Sequence, residues 1–304
     1  MECSHMKVMS LINYKGGVGK TTIAANLACE FMNLGKRTLL IDLDAQCSLT
    51  FTFIKPDEWK AKYSKRHTIK YWFECVKKEK EVPSFKELIV TINNVDLICS
   101  DLALINIEAD WEMDLQPKQR KRGIRTKALT PLQKYTYIKG EIEKLGDEYD
   151  VIIIDCPPNF GFITRNAIVA SDYYIIPTKF DYLSTLGIPS LNNHVNSLIE
   201  TFNREKEVGK KAIHPTLLGI IGNMVSYRQG GLDASQKEYK NKLMQRKLRV
   251  FDTILRDNTK LYASSGEYQD PVIWKCTKPH STSEKAVIHE LKSLAQEVII
   301  KAGI

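Results

Sequence analysis

A glycine-rich segment between an apolar run and a helical pattern is the part of the chain best suited to chemistry. It is Lys15–Thr22 (KGGVGKTT), and it directly follows the apolar run Lys7–Ile12 and two further residues. Glycines let backbone N–H groups converge on phosphate oxygens, and the N-terminus of the following helix favours an anion. The pattern therefore predicts a phosphate site in which Lys20 lies against the β- and γ-phosphates, Thr21 ligates Mg²⁺ and Thr22 reaches the α-phosphate side.

Acidic residues follow two other apolar runs. The run RTLLIDLD ends with Asp42 and Asp44, and Val151–Ile154 is followed at once by Asp155. Parallel strands present their carboxyl ends at one edge of a sheet, where ligands of α/β proteins bind. An apolar run that ends in an acid also has the form of a Walker B strand, so we expect Asp155 beside the waters of a magnesium ion.

Apolar runs alternate with helical spacing along nearly the whole chain. The predicted strands are Lys7–Ile12, the run ending at Asp44, Val95–Cys99, Val151–Ile154, Tyr173–Ile176 and Leu217–Ile221. The predicted helices are Ile23–Leu34, Tyr135–Leu145, Thr164–Ala170, Ile188–Phe202, Lys237–Arg249 and Glu284–Ile299. Strand, glycine loop, helix and strand form a βαβ unit, which predicts a right-handed crossover and a parallel sheet.

The expected fold class is therefore α/β, with one doubly wound, mostly parallel sheet flanked by helices, as in P-loop NTPases. We expect a single domain over residues 1–304, with 1–6 as a short leader and 52–130 as a variable basic insert region. No internal repeat or proline-rich linker marks a second domain. The role of the basic segment Lys118–Lys127 inside the insert stays open between a partner surface, a DNA contact and a plain loop.

Composition excludes some classes of function. No run approaches the roughly 20 apolar residues of a membrane span, and Met1–Met6 lacks the build of a secretory signal. Seven cysteines, without C-x-x-C spacing, fit reduced thiols in the cytoplasm better than disulfides or a zinc site. The net charge of +8 suits nucleic acid, an acidic membrane or an acidic protein, or it merely maintains solubility.

The early lysine of KGGVGKTT, Lys15, makes the motif resemble the deviant Walker A box of the ParA/MinD family. The match extends to the D-x-D-x-Q segment at Asp42–Gln46, to Asp155-Cys-Pro-Pro and to DLICSDLALINIE, and it covers nearly the full chain. Two positions depart from the expected patterns: Tyr14 stands at the first glycine of the ordinary P-loop, and Ala45 stands where the family has proline.

The resemblance implies roles for several of these residues. Lys15 is expected to reach across a dimer to the partner's nucleotide, where a cation would stabilise the charge of the transferred phosphoryl group. Asp44 is expected to orient the attacking water, and Asp42 to support the hydration shell of magnesium. The implied cofactors are ATP and Mg²⁺, and the implied assembly is an ATP-dependent homodimer.

Adenine contacts are expected from an asparagine after a late strand and from a later turn. Asn223 and the segment Arg256–Asn258 stand at matching places, although a turn asparagine is the alternative for each. The full set of candidate nucleotide residues is Lys15, Gly16, Gly17, Val18, Gly19, Lys20, Thr21, Thr22, Asn223, Arg256, Asp257 and Asn258. The candidate metal residues are Thr21, Asp42 and Asp155, and the candidate catalytic residues are Lys15, Lys20 and Asp44.

Three outputs compete within the family: DNA-bound partition, membrane-bound positioning and metabolic catalysis. The basic pattern Lys237–Arg249 favours the first, in which an ATP dimer binds DNA nonspecifically and a ParB-like partner stimulates hydrolysis to move plasmid, chromosome or other cargo. The candidate DNA contacts are Arg228, Lys237, Lys240, Lys242, Arg246, Lys247, Arg249 and Lys260. Since no helix-turn-helix extension precedes the P-loop, the chain resembles the short form of ParA.

The other two outputs lack matching sequence features. The chain ends Lys-Ala-Gly-Ile after the last helical pattern, without the basic amphipathic turn of a MinD-like membrane anchor, so no membrane contact is expected. No second cysteine accompanies Cys156 to hold an iron–sulfur cluster, and no small-substrate signature is evident. We therefore expect a cytoplasmic protein that associates with the nucleoid in its ATP state.

Overall fold

The computed structural model describes residues 6–115, 130–206, 211–228, 231–262, 270–275, 279 and 281–304. The first five residues of the expected leader, the basic segment 118–127 and the side chain of Arg228 lie outside that description. Within it, seven strands form one sheet in the order β3-β4-β2-β5-β1-β6-β7. The strands are β1 Lys7–Leu11, β2 Thr38–Asp42, β3 Val90–Ile92, β4 Val95–Ile98, β5 Val151–Asp155, β6 Tyr173–Thr178 and β7 Thr216–Gly222.

Every pairing in this sheet is parallel except that of β3 with β4. The central strands are buried on both faces, as their continuous apolar runs require. The register aligns Leu11 of β1 and Asp42 of β2 with Asp155 of β5, so the three strands end together. A separate ribbon pairs β8 Tyr227–Arg228 with β9 Gly231–Leu232.

Helices cover both faces of the sheet. They are α1 Lys20–Asn33, α2 Ser48–Phe53, α3 Pro56–Lys62, α4 Ile69–Lys77, α5 Phe85–Leu88, α6 Leu104–Leu115, α7 Pro131–Lys134, α8 Tyr137–Leu145, α9 Phe162–Ala170, α10 Tyr182–Leu186, α11 Ile188–Glu205, α12 Ala234–Gln245, α13 Val272–Lys275 and α14 Thr282–Ala302. Among the described helices, none is long and apolar enough to cross a membrane.

Two apolar clusters divide the core, one on each face of the sheet. Because strand side chains alternate between faces, Ile152 and Ile154 join one cluster while Val151 and Ile153 join the other. Helices α4, α6, α8, α9 and α11 contribute to the first cluster, and α1, α2, α13 and α14 to the second. This is the doubly wound arrangement expected from the sequence, and the fold class is confirmed.

The structure corrects one expectation about secondary structure, the end of the basic helix. The basic helix predicted to reach Arg249 ends at Gln245, and Lys247 has a positive φ of 58°. The chain turns because the buried Phe251 pairs with β7: its N–H donates to the Ile220 carbonyl, and Ile220 N–H donates to Arg249. Tertiary pairing therefore overrides the helical pattern.

The antiparallel edge strand β3 was not predicted. It turns into β4 through Asn93 and Asn94, whose φ angles are 49° and 67°. Two positive φ values in a two-residue loop are typical of a type I′ hairpin, for which asparagine is well suited. The Asn-Asn pair between short apolar runs was the signal that could have indicated this hairpin.

Candidate nucleotide-binding site

The glycine loop leaves β1 and enters α1 in a conformation that needs glycine. Gly17 and Gly19 have φ angles of 70° and 90°, in the left-handed region that other residues disfavour. At Gly19 a side chain would also collide with the amide of Asn223. That amide donates to the Val18 carbonyl at 2.8 Å, which fastens the loop to the end of β7. Nothing within 4 Å would meet a Cβ on Gly16, so the space in front of the loop is open to a ligand.

At the start of α1, the lysine and threonine of the motif face the end of β5. Lys20 is buried, and its Nζ lies 3.4 Å from the Asn13 carbonyl. The Thr21 hydroxyl donates to Asp155 Oδ2 at 2.6 Å. Asp155 Oδ1 is buried and has no hydrogen-bond partner among the described residues. An unpartnered carboxylate oxygen beside a threonine hydroxyl fits a hydrated Mg²⁺, which prefers oxygen ligands and keeps several waters.

Burial shapes the charge state of this end of the sheet. It raises the pKa of Asp155 to about 8, helped by the neighbouring charge of Asp42 and opposed by Thr21 and Lys20. Burial likewise raises the pKa of Asp42 to about 7, against the hydrogen bonds from Thr50. A divalent cation would favour the ionised carboxylates and lower both pKa values. The site is therefore electrostatically suited to a cation that arrives with a nucleotide.

The two acids that follow β2 differ in their surroundings. Asp42 is fully buried, and both oxygens accept bonds: Oδ1 from Asp44 N–H at 3.1 Å, Oδ2 from the N–H and hydroxyl of Thr50 at 2.8 and 2.7 Å. Asp44 is half-buried, and among the described residues its carboxylate accepts only from Gln46 N–H, at 2.9 Å to Oδ1. Asp44 thus keeps an oxygen with which to orient a water, while Asp42 is engaged within the protein.

Lys15 is half-exposed and leans onto α10 of its own chain. Its Nζ donates to the Ser184 hydroxyl at 2.8 Å and lies 3.7 Å from Asp181 Oδ1. Asp181 is the N-cap of α10 and accepts from Ser184 N–H at 2.7 Å. The backbone of Lys15 is held from the other side, where its N–H donates to Asn13 Oδ1 at 3.0 Å.

The candidate adenine residues come together in the structure. Leu255 N–H donates to Gly222, and Asp257 N–H donates to Val225, so residues 255–257 run beside the end of β7. The side chain of Arg256 turns to α14: Nη2 lies 2.7 Å from Glu290 Oε1, and the guanidinium covers the Tyr227 ring at 5.0 Å.

Asn223 and Asn258 are both engaged within the chain. Asn223 is buried and donates to the P-loop, as described above, while Asn258 Oδ1 accepts from Leu261 N–H at 3.2 Å. Their roles toward adenine, with those of Arg256 and Asp257, stay predictions.

A family model described as an AAA domain matches residues 6–208. The chain belongs to this family. It is also 26% identical over 269 residues to the sporulation initiation inhibitor protein Soj of Bacillus subtilis, across 88% of this chain and 90% of Soj.

Three solved structures share the fold. A complex of a Cyanothece McdA variant with ATP superimposes with a TM-score of 0.71, at 18% identity, over 99% of this chain and 97% of that one. A putative plasmid partition protein of Borrelia burgdorferi bound to AMPPNP gives 0.68, at 22% identity, over 97% and 99%. Cobyrinic acid a,c-diamide synthase of Mycobacterium smegmatis, with an ATP analogue and magnesium, gives 0.64, at 22% identity, over 90% and 97%. The resemblance to ParA/MinD ATPases is confirmed by the family match together with these relatives.

In this AAA-domain chain the candidate DNA contacts spread over α12 and the residues after it. Lys237, Lys242, Arg246, Lys247, Arg249 and Lys260 are exposed, and Lys240 is half-buried. Lys242 lies 2.6 Å from Glu238 on the same helix. Helix α12 contacts α10, the helix that carries the Lys15 contacts. Helix α10 therefore contacts both Lys15 of the P-loop and the basic helix α12.

Sequence reasoning missed several residues that shape the site. Asn13 fixes the loop, since its amide also donates to the Pro177 carbonyl at 2.7 Å. Lys15 bonds Ser184 and lies near Asp181, and an aspartate directly before a helix was an available N-cap signal. Tyr14, which replaces the usual glycine, bonds His194 on α11. The partners Asn13 and His194 had no sequence signal, because tertiary contacts alone define them.

Proposed function

We propose that this chain is a Mg-ATP-dependent switch that hydrolyses ATP to ADP and phosphate, dimerises in the ATP state and binds DNA without sequence preference. With a ParB-like partner that stimulates its weak basal hydrolysis, it would partition or position a plasmid, chromosome or other cargo. The protein would act in the cytoplasm and lie on the nucleoid while ATP is bound. All of its described helices and strands would belong to a single ATPase domain.

The observation that carries this proposal is the contact between Lys15 and α10. Lys15 is the residue that distinguishes this P-loop, and it bonds Ser184 on a helix that packs against the basic helix α12. If nucleotide draws Lys15 towards a second subunit, α10 loses that bond and the neighbouring basic helix can respond. Movement of Lys15 to the γ-phosphate would thus change the contacts of α10, and through α10 the position of the DNA-binding helix α12.

The site also supports the hydrolysis step. Phosphoryl transfer depends on positioning and on electrostatic stabilisation rather than on a strong base. Lys20 would neutralise the β- and γ-phosphates, and Thr21 with Asp155 would support magnesium. Asp44 would orient the attacking water with Oδ2, the carboxylate oxygen that no described residue bonds. Lys15 would stabilise the transferred group from across the dimer.

A metabolic P-loop enzyme is the second candidate. The fold is shared with cobyrinic acid a,c-diamide synthase, a protein whose structure holds an ATP analogue and magnesium. In such an enzyme a small-molecule substrate raises ATP turnover without DNA. The basic surface of α12 and the segment after it favours the switch over this alternative. A small substrate gives no reason for the exposed bases Lys237 and Lys242 on the helix and Arg246, Lys247 and Arg249 beyond it.

The deciding experiment uses the Asp44→Ala protein and an unrelated DNA duplex. Asp44→Ala should abolish turnover while it retains Mg-ATP binding, so the ATP-bound dimer accumulates. Binding is measured with ATP, with ADP and without nucleotide, across a salt series. We expect ATP-dependent binding that weakens steeply with salt, since phosphate contacts release counterions. Wild-type protein provides the control, with the same affinity only while ATP lasts.

Two results would contradict the proposal. Turnover of Asp44→Ala equal to wild type would remove Asp44 from its role. Absence of DNA binding in every nucleotide state would leave the ATPase site in place but shift the output to a MinD-like membrane surface or a metabolic substrate. Anionic vesicles and a screen of small carboxylic acids for stimulated turnover separate those two.

A further inference from the structure

Four residues form a closed ring of hydrogen bonds around the backbone of Asp44. The Thr50 hydroxyl donates to Asp42 Oδ2 at 2.7 Å and accepts from Ser100 N–H at 2.9 Å. The Ser100 hydroxyl donates to the Asp44 carbonyl at 2.7 Å. Asp44 N–H donates to Asp42 Oδ1 at 3.1 Å, which completes the ring. Asp42, Thr50 and Ser100 are all fully buried.

The ring joins three separate elements. Asp42 ends β2, Thr50 lies in α2, and Ser100 follows β4, the neighbour of β2 in the sheet. The two polar groups of the Asp44 backbone are both bonded to ring side chains, so the peptides on each side of its Cα are fixed. The carboxylate of Asp44 is partly exposed, and within the described part of the chain it accepts only from Gln46 N–H.

We propose that this ring is the positioning device for Asp44, with Thr50 as the residue that ties Asp42 to the end of β4. The inference rests on the proposed function, because it assigns the ring to the water-orienting acid of that reaction. Asp42 then acts through the ring. Both of its oxygens already accept bonds from the chain, which accounts for its burial independently of magnesium.

The physical reason for an effect on catalysis is geometric. A nucleophilic water must lie in line with the bond that breaks, and small errors in its position cost large factors in rate. None of the ring's four hydrogen bonds reaches the glycine loop or Lys20, so we expect it to make no direct contribution to phosphate binding. Its loss should therefore lower kcat and leave KM for ATP unchanged.

The test compares Thr50→Val with Thr50→Ser. Valine has the shape of threonine without the hydroxyl, so it leaves the Ser100 N–H without an acceptor. Serine keeps the hydroxyl. We expect Thr50→Val to lower kcat by about tenfold to a hundredfold, with KM for ATP and the Mg²⁺ requirement unchanged, and Thr50→Ser to restore most of the rate.

The matched control is Thr52→Val on the same helix. The Thr52 hydroxyl donates only to the Ser48 carbonyl within α2, at 2.8 Å. This variant should hydrolyse ATP at the wild-type rate.

Specific outcomes would overturn the inference. The first is a wild-type kcat in folded Thr50→Val, and the second is a Thr50→Ser variant as slow as Thr50→Val. The third is a Thr50→Val variant whose KM for ATP or Mg²⁺ requirement rises while its kcat stays constant. If Thr50→Val does not fold, Ser100→Ala takes its place, and a wild-type rate in that folded variant is equally decisive.

A measurement without catalysis separates this inference from the proposed function. Hydrogen exchange of the Asp44 amide in the ATP-free protein should be faster in Thr50→Val or Ser100→Ala than in wild type and Thr52→Val. If wild type hydrolyses no ATP, the proposed function fails while faster exchange would still support the ring. Unchanged exchange would overturn the ring whatever the wild-type activity.

Discussion

The phosphate end of the sheet, where β1, β2 and β5 end, buries its charged side chains, whereas the basic region at α12 exposes them. At the phosphate end Lys20, Asp42 and Asp155 are buried, and their partners come from different elements. In the basic region Lys237 and Lys247 are exposed. At the phosphate end, catalysis depends on the exact positions of the charged groups. In the basic region, attraction of a polyanion depends mainly on the amount of positive charge.

The energetic consequences follow from burial. An exposed pair such as Lys242 with Glu238 contributes little, because water screens it. A buried carboxylate such as Asp42 is tolerated only because several donors compensate its loss of hydration. Substitutions at the phosphate end should therefore have large and specific effects, and substitutions in the basic region small and additive ones.

The largest expected effect is that of Lys20→Ala. Removal of the buried ammonium should abolish detectable Mg-ATP binding, because the β- and γ-phosphates lose their charged partner. The same change in the basic region, Lys247→Ala, should leave the Kd for ATP unchanged. Titration of both proteins with a fluorescent ATP analogue measures the contrast. Comparable ATP affinities in the two variants would break the distinction between the regions.

An intermediate effect is expected from Lys15→Ala, because Lys15 belongs to the loop but lies on its surface. ATP binding should persist, since Lys20 and the backbone of the loop remain. ATP-driven dimerisation should weaken, because the partner's nucleotide loses a cation. Sedimentation with a non-hydrolysable ATP analogue measures both proteins. A variant that dimerises as wild type does would remove the trans assignment and leave Lys15 as a partner of α10 alone.

The same contrast explains what the sequence could predict. KGGVGKTT indicated the loop because glycine conformation and the start of α1 are local properties. The structure places Lys20 and Thr21 beside Asp155, and their roles toward nucleotide and magnesium stay predictions. The apolar runs indicated every parallel strand, since a buried strand must be apolar over its length. The acids at strand ends followed from the parallel arrangement.

Other features needed the tertiary structure. Thr50 and Ser100 are ordinary residues in sequence, and only the packing of α2 against β2 and β4 brings them to Asp42. The end of α12 was mispredicted because Phe251 pairs with β7, which no local pattern indicates. For Arg256, its place beside Asn258 suggested an adenine contact, which stays a prediction, and only the tertiary structure shows that its guanidinium pairs with Glu290. Surface charge by itself does not fix an orientation.

The smallest expected effect tests that last point. Lys237 and Lys240 line one groove with Asn241 of the same helix. Each lysine that contacts DNA phosphate adds about 0.9 to the slope of log affinity against log salt. The double variant Lys237→Ala with Lys240→Ala should weaken binding to every duplex alike and reduce the slope by roughly two for each protomer bound. ATP affinity and turnover should not change.

The matched control removes the same charge elsewhere, through Lys60→Ala with Lys285→Ala, two exposed lysines on α3 and α14. If net charge alone drives the association, both double variants should lose affinity equally, because long-range attraction depends on total charge. If α12 contacts the DNA, only the first variant should change the salt slope. Equal slopes in the two variants would move the DNA contact away from α12, and with it the reason for coupling α12 to Lys15 through α10.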